Sequence, residues 1–259
     1  MVSNELYIEQ DGPIATLIIN RPEKRNAFTL AMFERLTTIL EEIENDPSIK
    51  VLLVRGVDES AFASGADISE FMDNRFSVEK AKHYNDKALE GIDKLTRFKK
   101  PTIAVIRSFA IGGGLELANA CDFRFASEDS RLGITASRVG IVYNLASTKR
   151  LVDIIGPAKA KELLFTSKLI SAKESQEIGL VHYIYSGETV LDEATAFASL
   201  ISSRSSVANN GMKQVIRAIL DGANEEDEEL SNLILESFHS EDYIEGINAF
   251  LEKRKPNFN

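Results

Sequence analysis

Three consecutive glycines, Gly112-Gly113-Gly114, run straight into Leu115-Glu116-Leu117 and on to Cys121, so a carboxylate follows a stretch that has no side chains. Adjacent glycines cost backbone entropy and leave nothing to pack, which marks a chain that turns sharply or admits a close neighbour. A phosphate loop is disfavoured, because the P-loop lysine and hydroxyl residue are missing and GxGxxG is not matched. A structural use remains open: a tight strand-to-helix turn with Glu116 against the positive end of the helix dipole. So does a catalytic one, in which amide N–H groups at a helix start bind an oxygen that turns negative during reaction. The loop Ala61-Phe62-Ala63-Ser64-Gly65-Ala66-Asp67 supports the catalytic use, since Gly65 beside Ala66 offers a second backbone donor. Two converging N–H groups make an oxyanion hole.

Strands and helices must hold these loops. Leu6 to Gln10 and Pro13 to Asn20, separated by Asp11-Gly12, predict a hairpin. From Thr29, a fitting N-cap, Phe33, Leu36, Leu40 and Ile43 recur at helical spacing up to Asn45-Asp46-Pro47. The apolar runs Lys50 to Arg55 and Pro101 to Ile106 suit strands covered on both faces, and a polar helix is expected from Val78 to Arg97. Asp122 to Ala126 predicts a further strand, followed by helices over Leu145 to Ile155 and Ala158 to Phe165. Alternating strands and helices give an α/β core over residues 1–188, and the pattern from Thr189 is helical, giving a C-terminal region over 189–259. Its last helix is expected to end in Phe250-Leu251-Glu252-Lys253-Arg254-Lys255, and the acidic run from Asp221 to Glu229 reads as a solvated helix start.

Composition narrows the function classes. With 44% hydrophobic and 27% charged residues over 259 positions, and no bilayer-length apolar run, the chain reads as a water-soluble protein without a membrane partner. Thirty basic against forty acidic residues give a net charge of -10, which disfavours a nucleic-acid partner. The start MVSNELYIEQDG shows no secretory pattern and Cys121 is the single cysteine, so a reducing cytoplasm is expected. His83, His182 and His239 show no ligand spacing, so no metal site is expected.

Asn20-Arg21-Pro22-Glu23-Lys24-Arg25-Asn26-Ala27, Ala63-Ser64-Gly65-Ala66-Asp67, Gly112 to Leu117 and Cys121-Asp122 resemble the successive signatures of the crotonase superfamily, the enoyl-CoA hydratase/isomerase family. Thr166 to Val181 and the ending AFLEKRKPNF extend the resemblance over essentially the whole chain. It implies a crotonase-like spiral of strand-strand-helix turns, with a C-terminal helical region that forms homotrimers or hexamers built as dimers of trimers. It also implies an acyl-CoA thioester substrate, as in fatty acid metabolism, with coenzyme A arriving on the substrate and no permanently bound cofactor. The thioester oxygen would sit between the amides of Ala66 and Gly113, and the loop Ser64, Gly65, Ala66, Asp67 and Ile68 would contact the CoA adenine end. Lys24 or Arg25 and Lys253 would meet CoA phosphates, and Thr135 would be a polar substrate contact.

Family hydratases carry two glutamates on one water. Glu116 matches the first, whereas the second position falls on Ala136, which can neither take nor give a proton. The expected reaction is that of an acyl-CoA lyase, nominally an enoyl-CoA hydratase, with Glu116 as the acid-base residue. The following Gly140-Ile141-Val142-Tyr143-Asn144-Leu145 resembles the corresponding loop of methylmalonyl-CoA decarboxylase, which makes Tyr143 a second catalytic candidate and decarboxylation the alternative. That enzyme's histidine is replaced here by Ala66. A third reading, prompted by the missing carboxylate, is an acyl-CoA-binding module without turnover; an RNA-binding version is disfavoured by charge.

Overall fold

The computed structural model describes residues 5–258. Strands β1 (Leu6–Asp11) and β2 (Ile14–Ile19) form the expected antiparallel hairpin, turning through Gly12 at φ +53. Helix α1 (Leu30–Asn45) is capped by Thr29, whose hydroxyl accepts the Met32 amide at 3.2 Å, and it buries Phe33, Leu36, Leu40 and Ile43. β3 (Val51–Gly56), the short α2 (Phe71–Asn74) and α3 (Val78–Thr96) follow. Next come β4 (Thr102–Ile106), β5 (Phe109–Ile111) and α4 (Gly113–Ala120), then β6 (Phe123–Ser127), β7 (Arg131–Gly133) and α5 (Leu145–Thr166). β8 (Ile170–Ser171), α6 (Ala172–Glu177), β9 (Tyr183–Tyr185) and helices α7 (Val190–Ser202), α8 (Ser206–Leu220), α9 (Glu228–Ser237) and α10 (Glu241–Leu251) complete the described chain.

The strands form two sheets, one ordered β1-β2-β3-β4-β6-β9 and the other β5-β7-β8. In β4-β5-α4 and again in β6-β7-α5, consecutive strands go to different sheets before the helix, which is the repeating turn of the spiral. The central strands are buried on both faces by alternation. Leu52, Val54, Ala104 and Ile106 join the main core with α1 and α3, while Val51, Leu53, Ile103 and Val105 pack with Val190, Ala194 and Ala198 of α7. Thus α7, although inside the expected C-terminal region, covers the second face of the sheet.

Four short strands, β5, β7, β8 and β9, were not legible as strands, because two or three residues carry too little periodicity. The two helices expected over Leu145 to Ile155 and Ala158 to Phe165 are the two halves of α5, which breaks between them at Gly156, at φ 73 and ψ 163, before Pro157. The last helix ends at Leu251, four residues before the expected Lys255, and Lys253 adopts φ +53 in the turn beyond it. Only the end of the acidic run starts a helix: Asp227 caps α9 with Glu228 and Glu229 in its first turn, whereas residues 221–226, expected to be helical, connect α8 to α9 because Asp221 already closes α8 as its C-cap. Neither α8 nor α9 has a buried residue, and α10 has only Ala249; Val215 and Leu233 are half-buried, while Ile219 and Phe250 are 62% and 83% exposed. Cys121 is free and buried, and burial pushes its thiol up to about 12, so it is an inert core residue.

Candidate active site

Three chain segments build the glycine loops into one site. A bridge between Ala63 and Ala110 lays the first loop beside β5: the Ala63 amide donates to Phe109 at 3.1 Å, and the Ile111 amide to Ala63 at 3.0 Å. Close approach is what the glycines permit. A Cβ on Gly114 would lie 2.0 Å from the Ala63 carbonyl oxygen, and Gly65 sits at φ +103 with only 3.1 Å between its would-be Cβ and the Ile111 oxygen. Gly114→Ala should therefore overpack this junction and destabilise the fold by about 1–3 kcal/mol. Denaturant titration against the wild type measures it.

Nearby stands Gly113, whose would-be Cβ is 3.7 Å from the Ala66 nitrogen. Neither the Ala66 nor the Gly113 amide donates to an acceptor among the described residues. Two amides left free side by side, one at the first position of a helix, are suited to a shared anionic oxygen. The third segment, Arg21 to Phe28, stitches the first loop in place. Asn26 Nδ2 donates to Ala61 at 2.7 Å, the Ser64 amide donates to Arg25 at 3.0 Å and its hydroxyl to Lys24 at 3.3 Å, while Phe28 pairs with Ala66.

Asp67 is buried, with its carboxylate 3.0 Å from Arg21 and bonded to the hydroxyl and amide of Ser69; Ser69 foremost, then Arg21, hold it below the usual carboxylate range. Its side chain is thus spent on shaping the loop. Lys24, Arg25 and Ile68 are exposed at this rim, and Thr135 is half-buried before the turn Ala136–Val139. Among the described residues no hydrogen bond or ion pair joins the Lys253 side chain to the glycine loops. The tail beyond it reaches Lys50, whose ammonium donates to the Phe258 carbonyl at the start of β3, the strand end opposite the glycine loops.

Glu116 lies in the first turn of α4, nearly buried, at 11% side-chain exposure. Its Oε2 accepts from the Tyr143 hydroxyl at 3.0 Å, and its Oε1 accepts from the Ser147 hydroxyl and, at 3.3 Å, from Arg150 Nη2. Burial raises its pKa above the ordinary value, outweighing Arg150 and Tyr143, which act the other way. Burial and the neighbouring Glu116 also push Tyr143 well above 10, so at neutral pH it is a phenol donating to the carboxylate. Tyr143 and Glu116, apart by 27 residues, are therefore one cluster.

Ser147 and Arg150 were missed in the sequence. Asn144 caps α5 by accepting the Ser147 amide at 2.9 Å, and 144, 147 and 150 then fall on one helical face. Three polar residues at that spacing ahead of Leu151 were the available signal. Ala136 is half-buried in its turn, and Glu116 is the carboxylate on which Tyr143, Ser147 and Arg150 converge. Among the described residues no group of three or more His, Cys, Asp or Glu could hold a metal ion, and no helix is long and apolar enough to cross a membrane.

Comparisons with known proteins show the family of the chain. The family model for enoyl-CoA hydratase/isomerase matches residues 9–259. A crotonyl-CoA hydratase of Syntrophomonas wolfei is 33% identical, over 100% of this chain and 99% of its own. A short-chain-enoyl-CoA hydratase of Clostridium acetobutylicum is 34% identical, over 98% and 97%. Among solved structures, an enoyl-CoA hydratase/carnithine racemase from Magnetospirillum magneticum superposes with a TM-score of 0.95 at 33% identity, covering 99% of this chain and 96% of that one. With the spiral fold and the paired glycine loops in place, the chain belongs to the enoyl-CoA hydratase/isomerase family, the crotonase superfamily, and is a lyase of enoyl-CoA hydratase-like function.

Proposed function

We propose that this enzyme adds water to the double bond of an enoyl-CoA thioester, with Glu116 as its single acid-base carboxylate and the Ala66 and Gly113 amides as its oxyanion hole. Glu116 takes a proton from water as the water oxygen bonds to the β-carbon. The electron pair of the double bond moves into an enolate whose oxygen meets the two free amides. Glu116 then returns the proton to the α-carbon, and the thioester carbonyl re-forms. A carboxylate whose pKa is raised by burial suits both steps, because it is a stronger base when ionised and still gives the proton back. The observation that carries this reading is the buried Glu116 one turn beyond a free amide pair. Coenzyme A stays on the substrate, gripped at the rim by Lys24, Arg25 and the loop Ser64 to Ile68, with Thr135 a polar contact.

A second reading is decarboxylation of a malonyl-type CoA thioester, favoured by Ala136 and by the Tyr143 hydroxyl set on Glu116. Loss of the α-carboxylate as carbon dioxide leaves its bonding electrons in the same enolate, and Tyr143 would then protonate the α-carbon. Tyr143→Phe separates the two. Under hydration it removes one hydrogen bond to Glu116, and turnover falls by roughly tenfold or less. Under decarboxylation it removes the proton donor, and turnover falls by roughly 10²–10⁴-fold. Crotonyl-CoA losing its enoyl absorbance supports hydration; carbon dioxide from methylmalonyl-CoA without that loss refutes it. Tight acyl-CoA binding with no product from either would leave only a binding module.

We also propose a cytoplasmic trimer or hexamer, with an oligomerisation region that starts at α8, since α8 to α10 present unpartnered apolar residues. Lys253 serves a CoA site only in an assembly that carries its turn to a neighbouring pocket. A stable monomer in micromolar sedimentation contradicts both.

A further inference from the structure

Asp93 lies on α3, outside the glycine loops, and the mechanism above gives it no part. Its Oδ1 nevertheless accepts Arg150 Nη1 at 2.7 Å, while the same guanidinium gives Nη2 to Glu116 at 3.3 Å and leaves Nε buried without a partner. Arg150 is thus shared between two carboxylates and bound more closely to the one away from the site. Arg150 and Glu116 are nearly buried, whereas the Asp93 side chain is 39% exposed. We propose that Asp93 is a positioning residue for Glu116: by holding one end of the Arg150 fork it limits the charge that Arg150 brings to the acid-base carboxylate. The proposal rests on Glu116 being that carboxylate.

The physical reason is the geometry of the fork. A guanidinium free to bind one carboxylate with two parallel bonds fixes it as a permanent anion and a weak base. Split between two, it offers each one bond, and the Asp93 charge offsets its own. The charges around Glu116 are few. Of the elements packed against α4, β5 has no ionisable residue, the approach to α5 supplies Tyr143, α5 supplies Arg150, and α3 supplies Asp93 through Arg150. Asn144 and Ser147 are polar but uncharged. Beyond Arg150 lies a polar cavity of about 420 Å³ whose other charges satisfy one another: Lys149 binds Asp153 at 2.6 Å, and Arg97 and Arg217 bind Asp221 at 3.2 and 2.8 Å.

The test is the pH dependence of kcat/KM on crotonyl-CoA for the wild type, Asp93→Asn, Asp93→Glu, Arg150→Gln and Glu116→Gln. Hydration requires ionised Glu116, so the rate falls on the acid side as that group protonates. Asp93→Asn removes a negative charge and leaves Arg150 only a neutral amide oxygen in its place, so more of the Arg150 charge stabilises the Glu116 anion, and its acid limb should move to lower pH by about half a unit or more. Arg150→Gln should move it to higher pH, and Asp93→Glu should restore the wild-type limb. A merely structural Asp93 would lower Tm and leave the limb in place; an Asp93→Asn limb that coincides with wild type overturns the proposal. Should Arg150→Gln fail to fold, the two substitutions at half-exposed Asp93 decide alone. An acid limb that persists unchanged in Glu116→Gln overturns the acid-base reading instead, and so separates the two failures.

Discussion

Glu116→Gln should fold, bind acyl-CoA nearly as the wild type does, and turn over roughly 10²–10⁴-fold more slowly. The amide keeps the shape of the side chain but cannot accept a proton from water. Structure sets a second consequence. The carboxylate's two oxygens accept from Tyr143, Ser147 and Arg150, and glutamine has one oxygen and an NH₂ group. At least one of those donors therefore loses its acceptor, at a stability cost of about 1–3 kcal/mol. Steady-state kinetics beside a melting curve distinguishes lost chemistry from lost fold. Wild-type turnover in a folded Glu116→Gln would reject the acid-base role and turn attention to Tyr143.

The second large effect belongs to the oxyanion hole. Gly113 is the first residue of α4, the helical position where proline is best tolerated because its N–H has no partner in the helix. Gly113→Pro therefore removes one free amide while sparing the hydrogen bonds of α4, and the would-be Cβ meets the Ala66 nitrogen at an ordinary 3.7 Å. Losing one such donor should lower kcat by roughly 10²–10³-fold. Gly113→Ala, which keeps the amide, is the control and should lose far less. Equal turnover in the two variants would mean that the Gly113 N–H does not hold the thioester oxygen.

Much of this was legible in the sequence, for identifiable reasons. The apolar runs in β3 and β4 announced buried strands, and the spacing of Phe33, Leu36, Leu40 and Ile43 announced α1. The two glycine loops stood out because glycine without packing value needs a cause, and Gly114 against Ala63 supplies it. What stayed hidden was long-range. Nothing local says that Arg150 reaches back to Glu116 and across to Asp93, since such a cluster exists only once α3, α4 and α5 pack together. Nor does sequence tell that the carboxylate of Asp67, inside a loop expected to contact coenzyme A, is already occupied by Arg21 and Ser69. The short strands of the second sheet were invisible for the same reason, because their partners and not their residues define them.

The central claim, one-carboxylate hydration across an enoyl thioester, is tested most directly by supplying crotonyl-CoA in heavy-oxygen water and analysing the product. The predicted result is a 3-hydroxyacyl-CoA carrying one solvent oxygen on its β-carbon, formed rapidly by the wild type and only slowly by Glu116→Gln. No incorporation of solvent oxygen, together with carbon dioxide released from methylmalonyl-CoA on the same enzyme, would contradict it.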